Sequence, residues 1–223
     1  MNLQLKDKVV LVTGGARGFG AAIVRACAYE NAIPVIVDRD AEAGAKLREQ
    51  LREAGSACEL ISIDLSTPET CSQTIDQIVK TFGHIDALVN HASVKRNIRI
   101  EHDTPDQFMA SLDRNISHYY DMAHYAWPLL KISLGSIVNI SSDGASASKG
   151  AILALTREWA AELSRYGVRV NAIVSELQGV LLEEVASMAL FLISANAAHI
   201  TGQHLFLNNG HVPRVSGTES SIR

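Results

Sequence analysis

Cysteine is scarce in this chain: three in 223 residues, Cys27, Cys58 and Cys71, an odd number with no CxxC spacing. That argues against a disulfide scaffold or a zinc centre and leaves three reduced thiols, the state expected in a cytoplasmic protein. No basic run of five or more occurs, and the net charge is −4 with both signs interspersed. Nucleic acid is therefore not an expected partner. Long apolar runs are also missing. The longest are strand-sized, so no membrane span is expected. The first residues, "MNLQLKDKVVLVTGG", lead straight into an apolar run and a glycine turn, with no leader pattern. No internal repeat, low-complexity tract or dividing linker appears, and one domain over residues 1–223 is the expected organisation.

What is present is alternation. Short apolar runs stand at 8–14, 34–38, 58–64, 86–91, 136–141, 168–174 and 204–208. Between them lie helix-period segments such as "AAIVRACAYE" and "PETCSQTIDQIVKTFG". The runs are nearly all apolar rather than alternating with polar residues, so both faces of the sheet should be covered. The expected fold is α/β: a doubly wound parallel sheet of seven strands with helices on both faces, binding its ligand at the C-terminal strand ends.

"TGGARGFG" follows the first run and opens the first helix. Gly14, Gly18 and Gly20 permit a tight turn and a close backbone approach to a pyrophosphate, with Arg17 and Phe19 between them. The helix N-terminus then offers unpaired N–H groups. Asp38 ends the second run, 24 residues after Gly14. There it can accept hydrogen bonds from adenosine ribose hydroxyls, and its charge would repel a 2′-phosphate. A helix N-cap is the alternative for Asp38, although Asp40 suits that role better. Arg17 and Arg39 point the other way, since either could pair with a 2′-phosphate. The balance favours NAD, with NADP possible. Asp64 and Leu65, at the end of the third run, are candidates for the adenine edge; capping the "STPET" turn is the alternative for Asp64.

In "PDQFMASLDRNISHYYDMAHYAWPLL", apolar positions recur at Phe108, Leu112, Ile116, Tyr119, Met122 or Ala123, and Ala126. Asn115 falls on that same helix face, where a buried amide must find partners.

With "TGGARGFG", "NHAS" at 90–93, "NISS" at 139–142 and "ASKG" at 147–150 in hand, the chain resembles the short-chain dehydrogenases/reductases, from about Lys8 to about Gly210. The resemblance implies a Rossmann-like fold and a nicotinamide-dependent oxidoreductase. Its substrate would be a small-molecule secondary alcohol or sugar, and its assembly a homodimer or homotetramer. It makes Asn90 and Ala92 cofactor-adjacent, with His91 and Ser93 departing from the usual NNAG. It makes Asn115 the asparagine that positions a relay water by opening its helix, and Ser142 the hydrogen-bonding serine. Lys149 becomes the lysine that holds the nicotinamide ribose and lowers the pKa of a tyrosine. No metal is implied. A weaker likeness, in "RNISHYYDMAHYAWPLLK" and "LALTREWAAEL", is to bacterial sugar dehydrogenases of the L-fucose type.

One member of that catalytic set is missing. The family's tyrosine stands four residues before its lysine, and here that position is Ala145. Ser142 and Lys149 are seven apart where the family has about seventeen, a shortage of about ten. A second shortage, of roughly thirty to forty residues, follows "VRVNAIV". Both fall where loops would border the substrate. The expectation is a longer molecule, with loop segments missing near 143–147 and 174–182. The alternatives are a catalytically inactive dinucleotide-binding sensor or scaffold, and a structural subunit that pairs with an active homologue.

Overall fold

The structure is a computed structural model, and it describes residues 2–92, 98–141, 147–175 and 180–207. Seven strands are present: β1 (Val9–Thr13), β2 (Ile33–Asp38), β3 (Glu59–Ser62), β4 (Ala87–Asn90), β5 (Ser136–Ser141), β6 (Arg169–Ser175) and β7 (His204–Leu207). The helices are α1 (Gly18–Tyr29), α2 (Ala41–Glu53), α3 (Pro68–Phe82), α4 (Pro105–Ser133), α5 (Ala147–Leu163) and α6 (Leu182–Ile193). All strand pairings are parallel, in the order β3-β2-β1-β4-β5-β6-β7.

The unbroken apolar runs have a direct consequence. Successive side chains of a strand point to opposite faces. In β1, Val10 and Val12 join a core with α1 and α6 residues such as Ile23, Val24, Val185 and Leu190. Val9 and Leu11 join a second core with Ile75, Ile78, Tyr119, Met122 and Ile152 of α3, α4 and α5. Each fully buried aliphatic side chain contributes about 1.5–3 kcal/mol, so neither face of β1 tolerates a polar residue.

Helix starts are set locally. Thr67 and Thr104 cap α3 and α4, each followed by proline and closed by a reciprocal bond from Thr70 or Gln107. Asp40 caps α2 by accepting from the Ala43 N–H.

Two sequence expectations shift. The third strand stops at Ser62, so Asp64 lies in the following loop, and the cap of α3 is Thr67. The apolar face of α4 is buried only in its C-terminal half, where Tyr119, Met122, Ala123 and Ala126 are enclosed. Phe108, in the first turn of the helix, is 39% exposed.

From β3 the chain returns across β2 and β1 to place β4 on the far side of β1. The order reverses between β1 and β4, and that crevice is where open α/β sheets take ligands.

Candidate active site

The glycine turn occupies that crevice. Gly14 has φ +63°, a conformation that side chains rarely adopt, and a Cβ there would press on Ala92 and the His91 ring. A Cβ on Gly20 would overlap the carbonyl oxygen of Gly14. Gly18 also has positive φ, with nothing near the space a Cβ would fill. The turn is closed below and open above, which fits a pyrophosphate laid on its N–H groups. Phe19 is buried beneath it, its ring edge-on to His91 at 6.2 Å.

Asp38 does more than end β2. Its Oδ2 accepts from the Ala16 N–H at 3.0 Å and its Oδ1 from the Asp40 N–H at 3.0 Å. The carboxylate therefore holds the glycine turn against the strand end, and remains half-buried rather than enclosed. Arg17 is committed to Asp40, with its Nε 2.7 Å and its Nη2 2.6 Å from Oδ2. The Ala43 N–H, and then Arg17, hold the Asp40 carboxyl below its usual range. Arg39 is exposed. Asp64 is exposed and Leu65 packs at the rim of the second core.

The exit of β4 is clamped from three sides. Thr13 Oγ1 accepts from both the His91 and the Ala92 N–H, at 2.9 and 3.1 Å. His91 Nδ1 donates to the Gly14 carbonyl at 3.2 Å, and His118 Nε2 donates to the Ala92 carbonyl at 2.7 Å. A carbonyl can only accept, so each facing nitrogen carries the proton. Burial keeps both imidazoles neutral: His91 is lowered from its ordinary value, and His118 to about 4. Asn90 anchors the strand below. Its Nδ2 donates to Asn139 Oδ1, Asn139 Nδ2 to Thr156 Oγ1, and Thr156 to the Ile152 carbonyl. This buried chain ties β4 through β5 to α5.

Asn115 is buried, and its Nδ2 donates to the Ser111 carbonyl at 2.8 Å. Helix α4 runs unbroken from Pro105 to Ser133, so it is not opened at this residue. Lys149 stands in the first turn of α5, its Nζ 5.5 Å from the Tyr119 ring centroid. Burial lowers its pKa to about 8. Ser141 Oγ reaches the Lys149 carbonyl at 3.4 Å, bringing the end of β5 against α5. Ser142 lies outside the described residues, as do Ser93 and the steps between 142 and 146 and between 176 and 179.

No described tyrosine replaces the missing one. Tyr119, packed against Lys149, is fully buried; its hydroxyl donates to the Ile140 carbonyl at 2.8 Å, and burial raises its pKa. Tyr29 is 86% exposed, Tyr120 stacks on His124, Tyr125 abuts His124, and Tyr166 lies under Lys131 and Arg165.

A cavity of about 420 Å³ opens at the opposite, N-terminal end of the strands, lined among others by Leu5, Lys8, Asp86 and Arg169. Its charges are already satisfied, Lys8 by Asp86 and Arg169 by the last carbonyls of α6. Among the described residues no His, Cys, Asp or Glu cluster could hold a metal, and no helix is long and apolar enough to cross a membrane.

The pattern of the short chain dehydrogenases matches residues 8–178. The chain belongs to that family. The short-chain dehydrogenase described here is similar to L-fucose dehydrogenase of Rattus norvegicus, at 34% identity over 93% of this chain and 90% of that one. It is 28% identical to a 3-oxoacyl-[acyl-carrier-protein] reductase of Chlamydia muridarum, over 94% and 99% of the two chains. Among solved structures, the Cj0485 dehydrogenase superposes with a TM-score of 0.86 at 32% identity, covering 96% of this chain and 98% of that one.

The lengths carry information of their own. The match to the rat protein spans 248 positions, yet 93% of 223 residues is about 207, so about 40 positions face no residue of this dehydrogenase. The match to L-fucose dehydrogenase of Oryctolagus cuniculus spans 194 positions against 82% of the chain, about 183 residues, a shortfall of about 11.

Several site residues were not singled out from the sequence. Thr13, His118, Asn139 and Thr156 all hold the site through long-range bonds. For His118 a signal existed: it lies three residues after Asn115 and beside Tyr119, on the buried stripe of α4.

Proposed function

We propose that this dehydrogenase transfers a hydride between NAD and a secondary alcohol or the hemiacetal carbon of a sugar, with an aldose such as L-fucose as the substrate class. The observation that carries the reading is one crevice edge, where the open glycine turn, the clamped Asn90–Ala92 exit and Lys149 meet. The similarity to L-fucose dehydrogenases supports an aldose. NAD rather than NADP is supported by Asp38, whose charge faces the glycine turn, and by Arg17, whose guanidinium is held by Asp40.

The residues of the crevice fit a nicotinamide dinucleotide. Gly14, Gly18 and Gly20, with Arg17 and Phe19, would receive its pyrophosphate, and Asp38 its adenosine ribose. Asp64 and Leu65 would border the adenine, with Arg39 at the solvent edge. Asn90, Ala92 and Lys149 would hold the nicotinamide half. When bound, the cofactor supplies the hydride acceptor or donor. Lys149 would steady the ribose hydroxyls and, as a cation, favour ionisation of a neighbouring hydroxyl. Ser142 would donate to the substrate oxygen, and Asn115 would hold one end of a proton path. The homodimer or homotetramer and the cytoplasmic setting belong to the same proposal.

Proton transfer needs one more group, and the position four before Lys149 is Ala145. The shortfall of about 40 positions against the rat protein is a total, and it is in keeping with about ten residues missing near 143–147 and about thirty near 174–182 of a longer molecule. A second reading, a cofactor-holding protein without turnover, is favoured by the buried and committed hydroxyl of Tyr119. Two measurements on the purified protein separate them. An intact mass several kilodaltons above 24.1 kDa, with NAD-dependent oxidation of L-fucose, supports the enzyme. A mass of 24.1 kDa with NAD binding but no turnover of any aldose or secondary alcohol leaves the holding protein.

A further inference from the structure

The deep end of the crevice sets two basic side chains, Lys149 and His118, against one aromatic ring, that of Tyr119. Lys149 Nζ lies 5.5 Å from the centroid of Tyr119, and the His118 ring lies 4.8 Å from the same ring. His91 stands on the glycine side, and Lys149 opposes the protonation of both imidazoles. Among the described residues no carboxylate is bonded to any of the three. His91 and His118 spend their protons on the carbonyls of Gly14 and Ala92. Among the described residues the amine of Lys149 meets the face of Tyr119. The side chain is half-buried rather than sealed.

A lysine desolvated against an aromatic face, with no counter-ion among the described residues, is a setting that favours a nucleophilic amine. The other described lysines have no such setting. Lys6, Lys46 and Lys80 are exposed, Lys8 pairs with Asp86, and Lys131 lies exposed over Tyr166.

We propose that Lys149 is a carbonyl-capturing amine that, in the cofactor-free protein, condenses reversibly with small aldehydes and the open-chain form of aldoses. The nitrogen lone pair forms the C–N bond while the carbonyl π pair moves to oxygen, which takes up a proton. The carbinolamine oxygen takes up a second proton and leaves as water as the nitrogen lone pair forms the C=N bond, and the nitrogen releases its two protons to solvent. One water is released and nothing is oxidised or reduced. The capture does not rest on the dehydrogenase reading, because it needs neither a hydride acceptor nor a tyrosine.

The environment supports this quantitatively. An ordinary lysine, with pKa about 10.4, is only about 0.1% free amine at pH 7.5. Lowered to about 8 by burial, Lys149 is about one-quarter free amine at that pH. A weaker base is a weaker nucleophile, so the net rate advantage is about tenfold rather than the full ratio of free amine.

The test uses the full chain with glycolaldehyde and cyanoborohydride, which delivers hydride to an imine carbon and leaves a stable secondary amine, followed by peptide mass mapping. At pH 7.5 the Lys149 peptide should be labelled about tenfold faster than those of Lys46 and Lys80. Between pH 7 and 9 its rate should level off, whereas exposed lysines should gain about tenfold per unit. Labelling of Lys149 at or below the rate of the exposed lysines overturns the proposal, as does a rate that climbs in parallel with theirs. Bound NAD, verified by calorimetry, should slow the labelling at least tenfold; unslowed labelling under bound NAD also overturns it. Failure of NAD to bind would count against the dinucleotide reading alone, with the lysine comparison still deciding this one.

Discussion

The two halves of the crevice are built differently. The turn half, from Gly14 to Asp38, is closed by its own bonds: Asp38 holds Ala16 and Asp40, Asp40 holds Arg17 and caps α2, and the turn fits only glycine at its tight points. The Lys149 half is held from outside. Lys149 is positioned by α5, which is tied to β5 and β4 through Thr156, Asn139 and Asn90, and it lies against the ring of the buried Tyr119. The glycine turn and Lys149 therefore have separate supports in this fold. A chain can keep the first while its second rests on a few distant bonds.

The contrast is broken most severely at Gly20. Gly20→Val should cost more than a hundredfold in NAD affinity, about 2.7 kcal/mol or more, because the new side chain meets backbone rather than a flexible neighbour. Calorimetric titration checks this, and unaltered affinity would mean that the turn is not the cofactor cradle.

Next come the buried bases, through pH. Both folded-state pKa values are depressed below their unfolded values. For His118 the native state binds fewer protons than the unfolded state between about 4 and 6.5, so stability falls as pH drops through that window. The slope is about 1.4 kcal/mol per unit. For Lys149 the same holds between about 8 and 10.5, so stability rises with pH there. Lys149→Met should therefore raise stability near pH 7 by about 2–3 kcal/mol and flatten the alkaline slope, while abolishing turnover and weakening NAD binding. Urea unfolding at several pH values reads the slopes. A variant less stable than the parent at neutral pH would show that the amine is not under a burial penalty.

Asp38→Asn keeps an acceptor for the Ala16 N–H but removes the charge. It should shift the NAD-to-NADP affinity ratio about tenfold toward NADP, about 1.4 kcal/mol. An unchanged ratio would reduce Asp38 to an anchor of the turn.

The smallest effect is expected at Thr156. Thr156→Val leaves Asn139 Nδ2 without its acceptor and should cost about 1–2 kcal/mol of stability. NAD affinity should change less than threefold, because the turn half does not depend on α5. A large loss of affinity would dissolve the distinction between the halves.

How far the site could be foreseen follows the same division. The glycine turn and Asp38 were legible because strand, turn and strand end lie within one βαβ unit, and their geometry is local. Lys149 was legible by motif order. The clamp on Ala92 was not, since Thr13, His91 and His118 meet across separations of up to 79 residues. The helix-opening role given to Asn115 also failed, because α4 continues unbroken and the amide bonds to its own preceding turn.

By itself the sequence determined the seven strands, their parallel pairing and the two-sided core, because period and apolarity are properties of neighbours along the chain and decide which faces must be covered. It determined too that no tyrosine stands four residues before Lys149. Only the tertiary structure decided that Tyr119 is no substitute, its hydroxyl being spent on Ile140. It also decided that Arg17 belongs to Asp40, and that burial lowers the pKa of Lys149. These are contacts between residues that only folding brings together, and a side chain's pKa and partners depend on what surrounds it in space.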